Sequence, residues 1–226
     1  MINAEELAFA KRAISFFDAL NHDDKRKVET QLYKRSFEKG SVMHHGRSDC
    51  AGLFIIRSGY ARAYLVSGEG KEITLFRVTE GECCMFTAGC ILENINFDVI
   101  VEAGSDTMEA YILPSKLYSE LSAAYVTVAD FTNELMARRF SDVMWVMEQI
   151  VFMSFDKRLA TFLLEQAEVD GTEKLRITHE QIAQHIGTAR EVVSRMLKYF
   201  ATEGLVSLSR GGIELTQKDK LKRLTI

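Results

Sequence analysis

The alternation of apolar and polar positions changes texture along the chain, and each change predicts a different kind of element. Ala4 to Leu20 and His22 to Tyr33 read as two short helices. From Ser36 to Leu113 the chain consists of short apolar runs punctuated by glycine. Leu53 to Arg57, Ala61 to Val66, Glu72 to Arg77 and Asp98 to Glu102 are the strand candidates. Gly40, Gly46, Gly52, Gly59, Gly68, Gly70, Gly81 and Gly89 supply turns at a spacing that suits a compact antiparallel barrel or roll. Ser67 to Glu72 (S-G-E-G-K-E) is a turn in this register and not a phosphate loop. It lacks the Lys-Ser/Thr ending and a helix behind it.

Pro114, the single proline, closes the strand region, and the pattern then turns helical. Met136, Phe140, Val143, Met147 and Ile150 recur at alternating four- and three-residue steps, the spacing of a coiled-coil seam. Leu135, Met144 and Val151 add apolar surface beside it. A helix with more than one apolar side must be covered twice, here by its own front domain and by a second copy of the chain. A single amphipathic core helix is the simpler alternative.

Thr178 to Val206 reads T-H-E-Q-I-A-Q-H-I-G-T-A-R-E-V-V-S-R-M-L-K-Y-F-A-T-E-G-L-V. Thr178 and Gln181 have capping-box spacing, with Ile182, Ala183 and Ile186 directed to a core. Gly187 breaks this helix where a left-handed residue is wanted. Thr188 and Glu191 open a second helix with the same capping spacing. Val192, Met196, Leu197 and Phe200 form its expected buried stripe, leaving Arg190, Glu191, Ser194, Arg195 and Lys198 on or beside the solvent side. Arg and Glu near the start of such a helix match guanine O6/N7 and cytosine N4 in the major groove.

A helical hairpin with a merely solvated polar face would show the same caps. The segment after the second helix favours DNA reading. Gly204 stops that helix, and Val206–Ser209, Arg210–Gly212 and Ile213–Thr216 read as a tight hairpin. A hairpin in that place is the wing of a winged helix-turn-helix, with Arg210 at its tip within reach of a phosphate. The expected partner is double-stranded DNA. A palindromic site requires a two-fold related copy, hence a homodimer.

Composition is compatible with this. The 226 residues are 47 % hydrophobic, enough for two modest domains with separate cores. The net charge of −4 looks unsuited to a DNA binder until it is divided. From Ser154 onward there are 12 Lys/Arg against 10 Asp/Glu, and residues 1–153 hold 16 against 22. The acidity sits in front. The N-terminus lacks a basic and then apolar leader pattern, and no run approaches the roughly 18 apolar residues of a membrane span. With four cysteines and no secreted disulfide framework, a cytoplasmic protein with reduced thiols and no membrane partner is expected.

A glycine-punctuated roll, a long helix and a winged helix-turn-helix, in that order, resemble the CRP/FNR family of bacterial transcription regulators. The resemblance spans nearly the whole chain. It is carried by Phe37–Ser41 (F-E-K-G-S), Leu53–Arg62 (L-F-I-I-R-S-G-Y-A-R), Gly70–Leu75 (G-K-E-I-T-L), Gly81–Glu82, Ala137–Phe140 (A-R-R-F) and R-E-V-V-S-R at 190–195. It implies an α+β chain: a cyclic-nucleotide-binding-like β-roll (a jelly roll) with N-terminal helices over 1–121, a dimerisation helix over 122–153 and a winged helix-turn-helix over 154–226. By that resemblance Arg190, Glu191, Ser194 and Arg195 contact bases or flanking phosphates. Thr178, Thr188, Lys198 and Arg210 complete the expected DNA-facing set. Met136, Phe140, Val143, Met147 and Ile150 form the expected dimer interface. RNA polymerase is a further partner if the protein activates.

The resemblance also places the effector, and there the chain departs from the cyclic-nucleotide binders. They carry a second Gly-Glu and an Arg-Ser/Thr after the Gly-Glu turn. Here Met85 and Phe86 stand at the former, Asn96 and Phe97 near the latter, and no arginine lies between Arg77 and Arg138. A buried phosphate without a guanidinium is poorly compensated, so no cyclic AMP is expected. The oxygen-sensing members hold an iron–sulfur cluster with several cysteines in an N-terminal extension, and the N-terminal residues here include no cysteine.

Cys50, Cys83, Cys84 and Cys90, with Met85 and Phe86, are the effector or sensor candidates. Open readings are a thiol redox or electrophile sensor, inert buried thiols, a cluster or zinc site, and a small apolar or anionic ligand. A haem on His44 or His45 is the remaining one. Adjacent strand residues face opposite ways, which argues against Cys83 and Cys84 sharing a metal, and no metal site is expected. No paired carboxylate, His-x-x-x-His or nucleophile elbow is present, and a cysteine-dependent enzyme, the enzymatic alternative, would want a cation that the segment around Cys83 to Cys90 does not offer, so no catalysis and no catalytic residues are expected.

Overall fold

A computed structural model describes residues 2–45, 51–85 and 99–225. The chain divides into two compact units. The first holds the described residues up to Leu65 and from Leu75 to Val143; the second holds Val66–Thr74 and the residues from Met144 onward.

Helix α1 (Ala4–Ala13) opens with a capping box between Asn3 and Glu6, and α2 (His22–Gln31) is capped by Asn21. Two expectations are corrected here. The first helix ends at Ala13 and does not reach Leu20: Ile14 leaves the helical conformation (φ −107°, ψ 88°), and Phe17–Ala19 forms a separate 3-10 turn that buries Phe17. The second stops at Gln31, and Tyr33 already pairs with Ile112 in a strand.

Among the described residues eight strands follow: β1 (Tyr33–Glu38), β2 (Val42–His45), β3 (Gly52–Ser58), β4 (Ala61–Val66), β5 (Glu72–Val78), β6 (Cys83–Cys84), β7 (Ile100–Ala103) and β8 (Thr107–Pro114). They form two sheets, ordered β1-β8-β3-β6 and β2-β7-β4-β5. Phe37, Phe54, Ile56, Ala63, Phe76, Val101, Met108 and Ile112 fill one apolar core. The opposite side chains of β3, β6 and β8 (Leu53, Ile55, Cys83, Tyr111, Leu113) join a second core with Ile14, Phe16, Leu117, Tyr118, Phe131 and Leu135. Strand β3 is therefore buried on both faces, which is why Leu53–Ile56 is an unbroken apolar run where one-sided burial would give alternation.

Pro114 ends β8, and α3 (Ser115–Ala124) leads into the 27-residue α4 (Val126–Phe152). Its buried positions, Val128, Phe131, Thr132, Leu135 and Arg139, repeat at helical spacing along one side.

In the second unit α5 (Phe155–Asp170) ends on Gly171 in the left-handed conformation. It packs with α6 (His179–Ile186), α7 (Arg190–Thr202) and α8 (Lys218–Leu224) around Leu159, Leu163, Ile182, Val193, Leu197, Phe200, Leu215 and Leu221. Strands β9 (Lys174–Leu175), β10 (Val206–Ser209) and β11 (Gly212–Leu215) form a three-stranded sheet in the order β10-β11-β9. Among the described residues no helix is long and apolar enough to cross a membrane.

Candidate nucleic-acid interface

Helix α6 begins with the expected capping box. Thr178 accepts from the Gln181 backbone N–H, and the Gln181 side chain accepts from the Thr178 backbone N–H. Gly187 then takes φ +68° and ψ +46°, the left-handed cap that lets the chain turn into α7. The second expected cap is not made. Ala189 occupies the N-cap of α7 without a side-chain bond, and the helix starts at Arg190, two residues beyond Thr188. Thr188 instead donates its backbone N–H to the Ala183 carbonyl, closing the turn behind α6.

That later start moves the buried stripe. Val193, Leu197 and Phe200 are buried, at steps of four and three, while Val192 and Met196 are half-buried flanks. The predicted stripe is one residue out at its N-terminal end. The polar side keeps its membership: Arg190, Glu191, Arg195 and Lys198 are exposed and Ser194 is half-buried. Among the described residues no carboxylate pairs with Arg190, Arg195, Lys198 or Arg210, which leaves these cations available to phosphates or base edges. Arg210 and Gly211 (φ +83°) form the two-residue turn between Ser209 and Gly212, so the arginine stands at the tip of the wing.

His179, at the first position of α6, joins the two helices. Its Nδ1 lies 2.8 Å from the Ser194 hydroxyl oxygen. Burial first, and then the nearby Arg190 charge, hold its pKa below the ordinary histidine value, favouring the neutral ring. His185 is half-buried: its ring lies 5.2 Å from that of Phe162, and its Nδ1 is 2.8 Å from the Thr74 hydroxyl. Neither histidine contact was legible in the sequence, because the partners lie 15 to 111 residues away.

The effector candidates sort by burial. Cys83 and Cys84 are buried on opposite faces of β6, Cys83 in the helix-side core and Cys84 in the roll interior. Burial first, then Cys84, pushes the Cys83 thiol up to about 12, and its Sγ donates weakly to the Ala13 carbonyl at 3.6 Å. Met85 is also core, 3.7 Å from the Tyr118 hydroxyl. His44 is buried. Cys50, Phe86, Cys90 and the side chain of His45 lie outside the described residues. Among the described residues no three His, Cys, Asp or Glu side chains gather as metal ligands.

Sequence reasoning missed Arg139 as a buried cation. Its guanidinium donates to Asp142 at 2.9 Å and to the Cys83 carbonyl at 3.3 Å, and lies 4.9 Å from the centre of the Phe76 ring. Beside it is a cavity of about 240 Å³ lined by residues that include Glu82, Cys83, Phe131, Glu134 and Arg138. An arginine continuing the buried helical spacing of α4 was the available signal.

Of the expected dimer seam, Phe140, Met147 and Ile150 are exposed, Met136 is half-buried and Val143 packs on the roll core. Met144, Trp145, Val151 and Phe152 enlarge the exposed apolar surface of α4, whereas Leu135 belongs to the core.

The Crp-like helix-turn-helix domain model matches residues 157–224, which contain α6, α7 and the wing. A solved structure from Eubacterium rectale, of a protein of the CRP/FNR family, is 44 % identical, covers 94 % of this chain and 98 % of its own, and superposes with a TM-score of 0.90. This chain belongs to the CRP/FNR family. As a CRP/FNR protein it is a DNA-binding transcription regulator, with a mixed helix and sheet fold. It is also similar to the Cyclic AMP receptor protein of Thermus thermophilus, at 27 % identity over 84 % of this chain and 87 % of the relative. FixK2 from Bradyrhizobium japonicum, 17 % identical over 86 % of this chain and 98 % of its own, shares the fold with a TM-score of 0.68.

Proposed function

We propose that this CRP/FNR protein works as a homodimer that reads a palindromic duplex site, under control of a signal received in the β-roll that is not cyclic AMP. The observation that carries the reading is the exposed side of α7 behind a capped turn, where Glu191 is exposed and, among the described residues, no carboxylate pairs with Arg190, Arg195 or Lys198. An arginine and a glutamate at that end of a recognition helix are suited to a guanine–cytosine pair. Phosphate contacts from Arg210 on the wing and from the start of α6 would fix the register.

The exposed apolar side of α4 supports the dimer. Phe140, Met144, Met147, Ile150 and Val151 are large side chains that gain by leaving water, at roughly 25 cal/mol per Å² covered. A second copy of the same helix is the partner a two-fold DNA site calls for.

The Thermus relative is named for cyclic AMP, but Met85 here fills the core with a side chain 2 % exposed, where a nucleotide binder carries Gly-Glu. A sensing role for Cys83 draws no support from a thiol that is buried and held protonated. RNA polymerase is the further partner if the protein activates.

Selection from a randomised duplex library with the full chain tests the reading. The selected site should contain two inverted half-sites about 34 Å apart, one helical turn, and a single half-site should bind at least tenfold more weakly. Recovery of no preferred sequence would refute it.

A further inference from the structure

We propose that His179 is a positioning residue for base reading, which fixes the Ser194 hydroxyl as an acceptor directed at an exocyclic amino group, adenine N6 or cytosine N4. The inference rests on the reading of α7 as the recognition helix and names a determinant within it.

The geometry is specific. His179 is on α6 and Ser194 is on the polar side of α7, 15 residues later, yet Nδ1 and Oγ are 2.8 Å apart in a half-buried setting. Of the residues around it, Arg190 is the charge that acts on the ring, and with burial it favours the neutral imidazole. A neutral imidazole has one N–H and one bare nitrogen. In a helix-turn-helix the first helix crosses the phosphate backbone, and its N-terminus is where an anion is received. We assign the proton to Nε2, which lets His179, the first residue of α6, donate to a phosphate there. Nδ1 is then the acceptor, and the Ser194 hydrogen points to it. What Ser194 offers outward is a lone pair. Among major-groove edges only adenine N6 and cytosine N4 donate to a lone pair, whereas thymine O4 and guanine O6 and N7 do not. Without His179 the hydroxyl rotates, donates or accepts, and discriminates less.

The test uses the full-length protein and its selected operator, with every position of one half-site varied in turn. Ser194→Ala should lose about tenfold in preference at one base pair. His179→Ala should lose preference at that same pair and keep it elsewhere. His179→Asn, whose amide oxygen stands close to where Nδ1 was, should restore it. Removing the exocyclic amino group from the base at that pair should weaken the wild type several-fold and leave Ser194→Ala unchanged. His179→Ala should also weaken binding to every sequence alike through its lost phosphate contact, so the readout is base preference. Two results would overturn the inference while leaving the recognition helix in place: a preference at the Ser194 position untouched in His179→Ala, or a preference relaxed equally at all positions. If Arg195→Ala, Glu191→Ala and Ser194→Ala all bind the operator like wild type, the recognition-helix reading itself fails and the inference falls with it.

Discussion

Arg139, a residue only 6 % exposed, donates from its guanidinium to the backbone carbonyl of Cys83 at 3.3 Å. That bond ties the middle of α4 to the short strand β6, and Asp142 on the next turn compensates the charge. Phe76 lies against the guanidinium on another side. Arg139→Met should keep an unbranched apolar stem but leave the Cys83 carbonyl without its donor. We expect a loss of about 1–3 kcal/mol in denaturant unfolding. Arg139→Lys should recover only part, since an ammonium cannot hold Asp142 and the carbonyl with one planar fork.

The buried Cys83 thiol gives a pH dependence with a definite sign. Its folded pKa, pushed up to about 12, lies above the roughly 8.5 of an unfolded cysteine. Its contribution is therefore fully present below about pH 8.5 and is lost as pH rises toward 12. The Tyr118 hydroxyl, raised to about 12 mainly by burial, acts in the same direction. Urea midpoints should fall across that alkaline window, and the fall should be smaller in Cys83→Ala. In the same setting Cys83 should resist alkylation at pH 8 in the folded protein and react on unfolding. Rapid native-state labelling of Cys83 would show that the thiol is accessible after all.

The apolar side of α4 makes a prediction about assembly. Replacing Phe140 and Met147 together with glutamate should give a monomer by sedimentation, with the winged unit still folded and affinity for the full palindrome lost. Phe140 is 68 % and Met147 56 % exposed in the single chain, so the substitutions should cost little intramolecular packing. An intact dimer would move the interface elsewhere.

Capping at α6 is a local effect that can be isolated. Thr178→Ala removes the acceptor for the Gln181 backbone N–H and should lower stability by about 1 kcal/mol. Thr188→Ala should have a smaller effect, because Thr188 caps nothing through its side chain.

Much of this architecture was legible because local chemistry and tertiary packing agree. The Thr178–Gln181 box, Gly187 and the wing turn at Arg210–Gly211 are short-range signals that survive into the folded chain. Strand β1 escaped because it is nearly all exposed: of Tyr33–Glu38 only Phe37 is buried, so no alternation marks it. The start of α7 was misplaced because Thr188–Glu191 mimics a capping box, while the packing of Val193 with Leu197 and Phe200 sets the register. The His179–Ser194 contact could not be read at all, since it depends on how two helices cross.

The exposed side of α7 carries the central claim. Arg195 and Glu191 make no buried contacts, so their removal should leave the fold intact, with a melting control for Glu191 in the first turn of the helix. The decisive measurement is the affinity of full-length wild type, Arg195→Ala and Glu191→Ala for a selected palindrome and for each of its single-base variants, at one fixed salt concentration. We expect each variant to lose about 1–3 kcal/mol on the palindrome and to relax preference at one base pair per half-site. Wild-type affinity and wild-type base preference in both variants would contradict the assignment of α7 as the helix that reads DNA.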